Sequence, residues 1–161
     1  MKKAILIISI LSVIITVSVI LFINHRLYDS SKLNIFEIPG TACSSPVGKW
    51  KRYYRYYMIQ EVPEAENELK NLIEDYINDN GTITGLLTEN TEETVCLYFY
   101  KPSLSLPVYF EENKSYWEMD DYIEHYKDEH IATVIYQSMT GETKYYINGV
   151  AVETEKKGNN V

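Results

Sequence analysis

The sequence predicts an α+β fold, in which one amphipathic helix packs on an antiparallel sheet of about four to six strands behind an N-terminal transmembrane helix. Three observations support this prediction. A charge-free apolar run occupies residues 4–23, one stretch with helical periodicity follows at residues 63–80, and aromatic and β-branched runs separated by turn residues fill much of the remainder. The chain has 161 residues, of which 45% are hydrophobic, so it is long and apolar enough for one domain with its own core.

The apolar run that begins at Ala4 and ends at Ile23 predicts an uncleaved signal-anchor over residues 1–24. About 20 helical residues measure roughly 30 Å, the thickness of the hydrocarbon core of a bilayer. A cleaved signal usually has a shorter apolar region followed by a cleavage site of small residues, and no such site follows Ile23. Lys2 and Lys3 favour a single-pass topology with a cytoplasmic N-terminus, which places the domain on the periplasmic or cell-surface side of a bacterial membrane.

Residues 25–48 are predicted to form a tether, because proline, glycine, serine and asparagine interrupt their short apolar segments. An extracytoplasmic domain is predicted over residues 49–153, and residues 154–161 are predicted to be a disordered tail. From Leu33 onward, 11 basic residues stand against 22 acidic ones, a net charge of −11. Such an acidic domain repels a phosphate backbone, so nucleic acid is not expected as a partner.

The first predicted strand and the helix have the clearest patterns. Residues 49–59 are rich in aromatic side chains and predict a strand. Pro63 is placed as the first helical residue, where its missing N–H costs nothing, and Asn80 with Gly81 as the end of the helix. Between them, apolar residues recur at the spacing of one helical face: Leu69, Leu72, Ile73, Tyr76 and Ile77.

The remaining strands are predicted from short apolar and aromatic runs bounded by turn residues: 94–100, 104–110, 131–136, 143–147 and 150–152. Thr140 with Gly141 and Asn148 with Gly149 predict the last two turns. The stretch that begins at Tyr116 and ends at Asp128 is ambiguous between a short helix and an irregular segment.

This order of one strand, one helix and four or five locally connected strands is similar to that of the cystatin-like and NTF2-like architectures. The resemblance lies in element order alone, without a shared sequence motif. Packing of a single helix on an antiparallel sheet is the economical arrangement of these elements. We expect the apolar stripe of the helix to lie beneath Cys96, Tyr98 and Val134.

Two interpretations apply to Cys43 and Cys96, the two cysteines of the chain. In an oxidising compartment they could form a disulfide, which would contribute on the order of 4 kcal/mol by closing a loop of about 53 residues. Alternatively, Cys96 is a buried apolar residue of its strand and Cys43 is a free thiol in the tether. The sequence does not favour one over the other.

Three polar residues are spaced at i, i+4 and i+8: Asp121, His125 and Glu129. On a helix these side chains would share one face, where a carboxylate–imidazole–carboxylate set can bind a divalent metal or carry out acid–base chemistry. The alternative, which the sequence favours, is a solvated acidic face. We therefore expect no metal and no catalytic residue here.

The predicted first strand mixes basic and aromatic residues, and its candidate binding residues are Trp50, Tyr53, Tyr54, Tyr56 and Tyr57. Such a mixture can contact a partner protein, a lipid headgroup layer or a single-stranded nucleic acid, although the acidic domain disfavours the last. The favoured alternative is an exposed strand whose lysine and arginine stems cover aromatic rings and whose charges prevent edge-to-edge pairing.

Nucleophile elbows, phosphate-binding loops, dinucleotide fingerprints and Cys-x-x-Cys pairs do not occur in the sequence, which therefore predicts no cofactor. The favoured function is a non-enzymatic, membrane-anchored binding or assembly module, with another envelope protein as a candidate partner. The alternative is a small-ligand-binding protein or acid–base enzyme, in which Tyr98 and Tyr136 act with Asp120, Asp121 or His125 in a concave, helix-backed sheet. A deep apolar cavity would favour the alternative, and a filled core would favour the binding module.

Overall fold

The computed structural model describes residues 2–26, 33–38, 43–47, 50–87, 92–103, 106 and 125–152, with side chains described for residues 7–21 of the first helix. The predicted α+β class is confirmed. The two helices are α1 (Lys2–Arg26) and α2 (Glu66–Asp79). The seven strands are β1 (Ile35–Glu37), β2 (Cys43–Val47), β3 (Trp50–Ile59), β4 (Glu92–Tyr100), β5 (His130–Gln137), β6 (Glu142–Ile147) and β7 (Val150–Val152).

All seven strands belong to one mixed sheet with the order β1-β3-β4-β5-β6-β7, in which β2 also pairs with β3. The prediction of a purely antiparallel sheet is wrong at one position, because β3 and β4 pair in parallel. Parallel neighbours need a crossover connection, and α2 lies in the chain between these two strands. The β4–β5, β5–β6 and β6–β7 pairs are antiparallel.

The segment predicted to be a tether contributes two strands to the sheet. β1 pairs with the C-terminal end of β3, and β2 pairs with its N-terminal half along the same edge. Ile35 and Phe36 are buried. The folded unit therefore includes residues before Lys49, because the short apolar segments of this region pair with an edge of β3 that would otherwise be open.

Helix α2 ends as predicted but starts later than predicted. Its N-cap is Ala65, so Pro63 precedes the helix instead of forming its first residue. At the other end Gly81 has a φ of 58°, and the N–H of Thr82 donates to the carbonyl of Ile77 at 3.1 Å. This pattern is a Schellman motif, in which glycine adopts the left-handed conformation that closes the helix.

The sheet has a buried cluster on each face. The face covered by α2 brings Leu69, Ile73 and Ile77 of the helix together with Val95, Leu97, Phe99 and Val134 of the sheet. Cys96 and Tyr98 were expected beneath the helix, and this expectation is wrong. Since side chains alternate along a strand, both lie on the opposite face, where they join Tyr54, Tyr56 and Tyr100.

The two predicted turns are confirmed. β5 and β6 form a hairpin in which Gly141 has a φ of 65°. Asn148 and Gly149, between β6 and β7, have φ angles of 50° and 79°. Positive φ at both central residues is the signature of a type I′ turn, which matches the right-handed twist of the paired strands.

Helix α1 is apolar, and its large hydrophobic side chains over residues 7–21 are 44% to 67% exposed. Counting only the residues whose side chains the structure describes, no helix is long and apolar enough to cross a membrane. The predicted tail at 154–161 lies outside the described residues. So does the predicted strand at 104–110, except for Leu106, which is buried in a bend.

Candidate functional site

The aromatic residues predicted to form a binding strand have two different environments. Trp50 is 51% exposed, whereas Tyr53, Tyr54, Tyr56 and Tyr57 are between 2% and 7% exposed. The prediction of an exposed strand is wrong, because β3 has pairing partners along both edges. A side chain buried this deeply cannot contact a partner without local unfolding. Of the five candidates, Trp50 alone is therefore available for binding.

The sheet face opposite α2 carries a cluster of stacked rings. The ring of Tyr56 stacks on that of Tyr98, with 5.2 Å between centroids, and lies 6.4 Å from that of Tyr100. The ring of His130 contacts both Tyr98 and Tyr100, at 5.9 and 5.4 Å. Its Nε2 lies 2.8 Å from the Oγ1 of Thr133. Burial lowers the pKa of His130, and a hydrogen bond with the backbone of Ala132 opposes this change. The cluster is part of the core.

Of the proposed set of Asp121, His125 and Glu129, the structure describes His125 and Glu129, and the backbone between these two is not α-helical. Asp121 lies outside the described residues. The backbone after His125 forms turns with i to i−3 hydrogen bonds, such as that from the N–H of Glu129 to the carbonyl of Tyr126. His125 is exposed, while Glu129 accepts a hydrogen bond of 2.8 Å from the hydroxyl of Ser103. Within the described part of the chain, no cluster of three or more histidine, cysteine or acidic residues could hold a metal ion.

Cys43 and Cys96 lie on opposite sides of β3. Both are paired with Tyr54, so a complete strand separates them. Two strand spacings put their Cα atoms about 10 Å apart, beyond the limit of about 7 Å for a disulfide. Cys96 is buried with a free thiol, and burial raises the pKa of that thiol while the charge of Arg52 opposes the rise. The register thus excludes the disulfide interpretation, and Cys43 belongs to β2 instead of a tether.

Glu93 is the buried charged residue of the described chain, with 2% of its surface exposed. Its carboxylate accepts a hydrogen bond from the hydroxyl of Tyr53, with 3.0 Å between the two oxygens. Its backbone N–H donates to the hydroxyl oxygen of Ser138 at 2.8 Å, and its carbonyl accepts from the N–H of Ser138. These bonds connect β3, β4 and the turn after β5 at one end of the sheet.

A groove of about 240 Å³ opens at this end of the sheet. Register places its strand residues in two pairs on the face opposite α2: Trp50 with Glu92, and Thr94 with Gln137. The turn between β5 and β6 adds Met139 and Thr140, and Glu93 completes the lining. The groove therefore combines a half-exposed indole, a methionine that is 62% exposed and the acidic side chain of Glu92.

Charged side chains lie on both faces of the sheet near the groove. Both charged residues of its described lining are acidic, but only Glu92 is on the face of the groove; the carboxylate of Glu93 bonds to Tyr53 on the α2 face. Lys51 points to the other face, where its Nζ lies 4.7 Å from the centre of the Tyr53 ring. Arg52 is on the groove's face, where it is paired with Thr94, and its charge also acts on Cys96 further along the sheet. The site can thus offer apolar contact together with the carboxylate of Glu92.

Of the residues that line this groove, Trp50 was predicted from the sequence and the others were not. Glu92, Gln137 and Met139 come from three distant parts of the chain, and their meeting depends on the register of β3 with β4 and of β4 with β5. No local pattern signals that register. Comparison with known proteins found no match to any protein family, curated protein or solved structure.

Proposed function

We propose that this chain is a non-enzymatic binding module, held at the outer face of a membrane by α1, and that it contacts another envelope protein through the Trp50 groove. The observation that carries this proposal is the pair of exposed apolar side chains, Trp50 and Met139, at the rim of one groove. Tryptophan and methionine are enriched in protein interfaces. The other aromatic side chains of β3, Tyr53, Tyr54, Tyr56 and Tyr57, are buried in the core.

The size of the groove favours surface contact over an enclosed small-molecule site. Its volume of about 240 Å³ is below the roughly 300–1,000 Å³ of pockets that enclose a small ligand. Both sheet faces carry buried clusters, and α2 packs on one of them through Leu69, Ile73 and Ile77. These features agree with a binding module more closely than with the alternative of an enzyme.

The length of α1 and its exposed apolar side chains support the proposed membrane anchor. Its backbone covers 25 residues, about 37 Å of helix, which exceeds the roughly 30 Å hydrocarbon core of a bilayer. The part with described side chains, residues 7–21, is shorter, about 22 Å, and its apolar side chains are exposed. A helix that is apolar on all sides needs an apolar environment, and a bilayer provides one.

Site-specific photo-crosslinking in intact cells tests this function. A photoreactive residue placed at Trp50 is expected to give one adduct of defined mass. The same residue at Asp75, an exposed position on α2, is expected to give none. Met139→Lys should remove the adduct, because it places a charge at the apolar rim. Equal adducts at Trp50 and Asp75, or an adduct that persists in Met139→Lys, would contradict the proposal.

A further inference from the structure

We infer that the Trp50 groove receives a basic side chain, an arginine or lysine, presented by the partner protein. This inference rests on the proposed function and specifies its partner. The groove is where an exposed indole face and a carboxylate lie next to each other, since Trp50 and Glu92 are directly paired across β3 and β4. An indole and a carboxylate are the two groups that attract a cation most strongly in proteins.

Charge complementarity selects a cation over other occupants. Glu92 is the charged lining residue on the face of the groove, and the chain from Leu33 onward carries a net charge of −11. An anionic ligand would be repelled both locally and at long range, whereas a basic segment would be steered towards the domain. Arg52 is on the same face, paired with Thr94, so the position offered to a cation is beside the Trp50–Glu92 pair, two residues along the strands from Arg52.

The dimensions and polarity of the groove suit one long side chain. A volume of about 240 Å³ corresponds to roughly eight water molecules, which is room for one extended basic side chain and not for a folded element. Met139 and the ring of Trp50 can contact its methylene stem, while Gln137 and Thr94 add neutral acceptors beside Glu92. A side chain with an apolar stem and a cationic tip satisfies all of these groups.

The test uses the full chain in a nonionic detergent and a fluorescent tetra-arginine peptide as the probe, with binding measured by fluorescence anisotropy. A tetra-citrulline peptide, of nearly the same shape without charge, is the ligand control. Glu92→Gln and Trp50→Ala are each expected to weaken tetra-arginine binding about fivefold, a typical effect of losing one ion pair or cation–π contact at a partly exposed site.

The matched control is Asp75→Asn on α2, which changes the net charge by the same amount as Glu92→Gln at a distant exposed site. It is expected to change the affinity less than twofold. Equal losses in Glu92→Gln and Asp75→Asn would show that the peptide binds the overall charge and would overturn the inference, as would equal binding of tetra-citrulline. If the Trp50 photo-adduct forms in cells while tetra-arginine does not bind, the inference fails and the proposed function stands. Absence of that adduct refutes both.

Discussion

The hydroxyl of Tyr53 donates a hydrogen bond to Oε1 of Glu93, with 3.0 Å between the two oxygens, in a place where Glu93 is almost fully buried. The two residues lie on neighbouring parallel strands, β3 and β4. Through its backbone, Glu93 is also bonded to Ser138, the residue before Met139. One buried acidic residue therefore holds together the strand that carries Trp50 and the turn that carries Met139.

Tyr53→Phe is expected to lower the free energy of unfolding by about 1–3 kcal/mol, because it removes a donor from a buried carboxylate. Urea unfolding of the full chain in nonionic detergent measures this change. Tyr136→Phe, which removes a hydroxyl from a half-buried tyrosine of β5, is the matched control and is expected to cost less than about 0.5 kcal/mol. Equal effects of the two substitutions would contradict a structural role for the bond.

Ile73→Ala is expected to lower the free energy of unfolding by about 2–5 kcal/mol, since Ile73 is fully buried between α2 and the sheet. Leu72→Ala should cost less, because Leu72 is only partly buried. Asn71→Ala, at an exposed position of the same helix, should stay within about 0.5 kcal/mol. Urea unfolding followed by circular dichroism checks the order of the three variants. A cost for Leu72→Ala as large as that for Ile73→Ala would mean that α2 is rotated from its described orientation.

His130 is expected to make the domain less stable in mild acid. Burial among Tyr98 and Tyr100 lowers the pKa of His130 below its ordinary value of 6.5. As the pH falls below about 6.5, the unfolded chain therefore binds a proton that the native state does not, and stability is lost progressively down to the native pKa. His130→Gln should remove this part of the pH dependence.

Urea unfolding at about pH 7.5 and about pH 5.5 measures the effect, because these values bracket the ordinary histidine pKa. The wild type is expected to lose more stability between them than His130→Gln. His125→Gln, at an exposed histidine, should behave as the wild type does. Burial raises the pKa of Glu37, an effect of opposite sign that is common to all three proteins and cancels in the comparison. Identical losses in wild type and His130→Gln would refute the burial of a neutral imidazole.

Sequence alone predicted the turns and the helix face, because each depends on a residue type with a single conformational or packing role. Gly81 ends α2 and Asn148 with Gly149 forms the last turn, because these positions need positive φ. The apolar stripe of α2 was equally clear, since Leu69, Ile73 and Ile77 recur at the helical spacing and are buried. These signals are local, so they do not depend on how distant segments of the chain pair.

The features that sequence missed depend on pairing between distant segments. The alternation of β3 correctly separated Trp50 and Tyr54 from Tyr53, but it could not show which face α2 would cover. Nor did it show that β3 is paired on both edges. Because of this pairing, its tyrosines are buried in the core instead of exposed on a surface. The groove needs Trp50 beside Glu92, and that contact is set by a parallel register across the α2 crossover.

The central claim is that the domain faces outside and that a partner covers the Trp50 groove in the membrane. Its most direct test compares two single-cysteine probes, Met139→Cys in the groove and Asp75→Cys on α2, in a Cys43→Ser background. Cys96 can remain, because it is buried and its thiol pKa is raised, which leaves little reactive thiolate.

Labelling rates with a membrane-impermeant maleimide are measured in intact cells and after extraction into nonionic detergent. The Asp75→Cys probe is expected to react equally fast in both. The Met139→Cys probe is expected to react several-fold more slowly in cells, where the partner covers it, than in detergent. Protection of the Asp75→Cys probe until lysis would place the domain on the other side of the membrane. Equal rates for the Met139→Cys probe in cells and in detergent would show an uncovered groove and contradict the account.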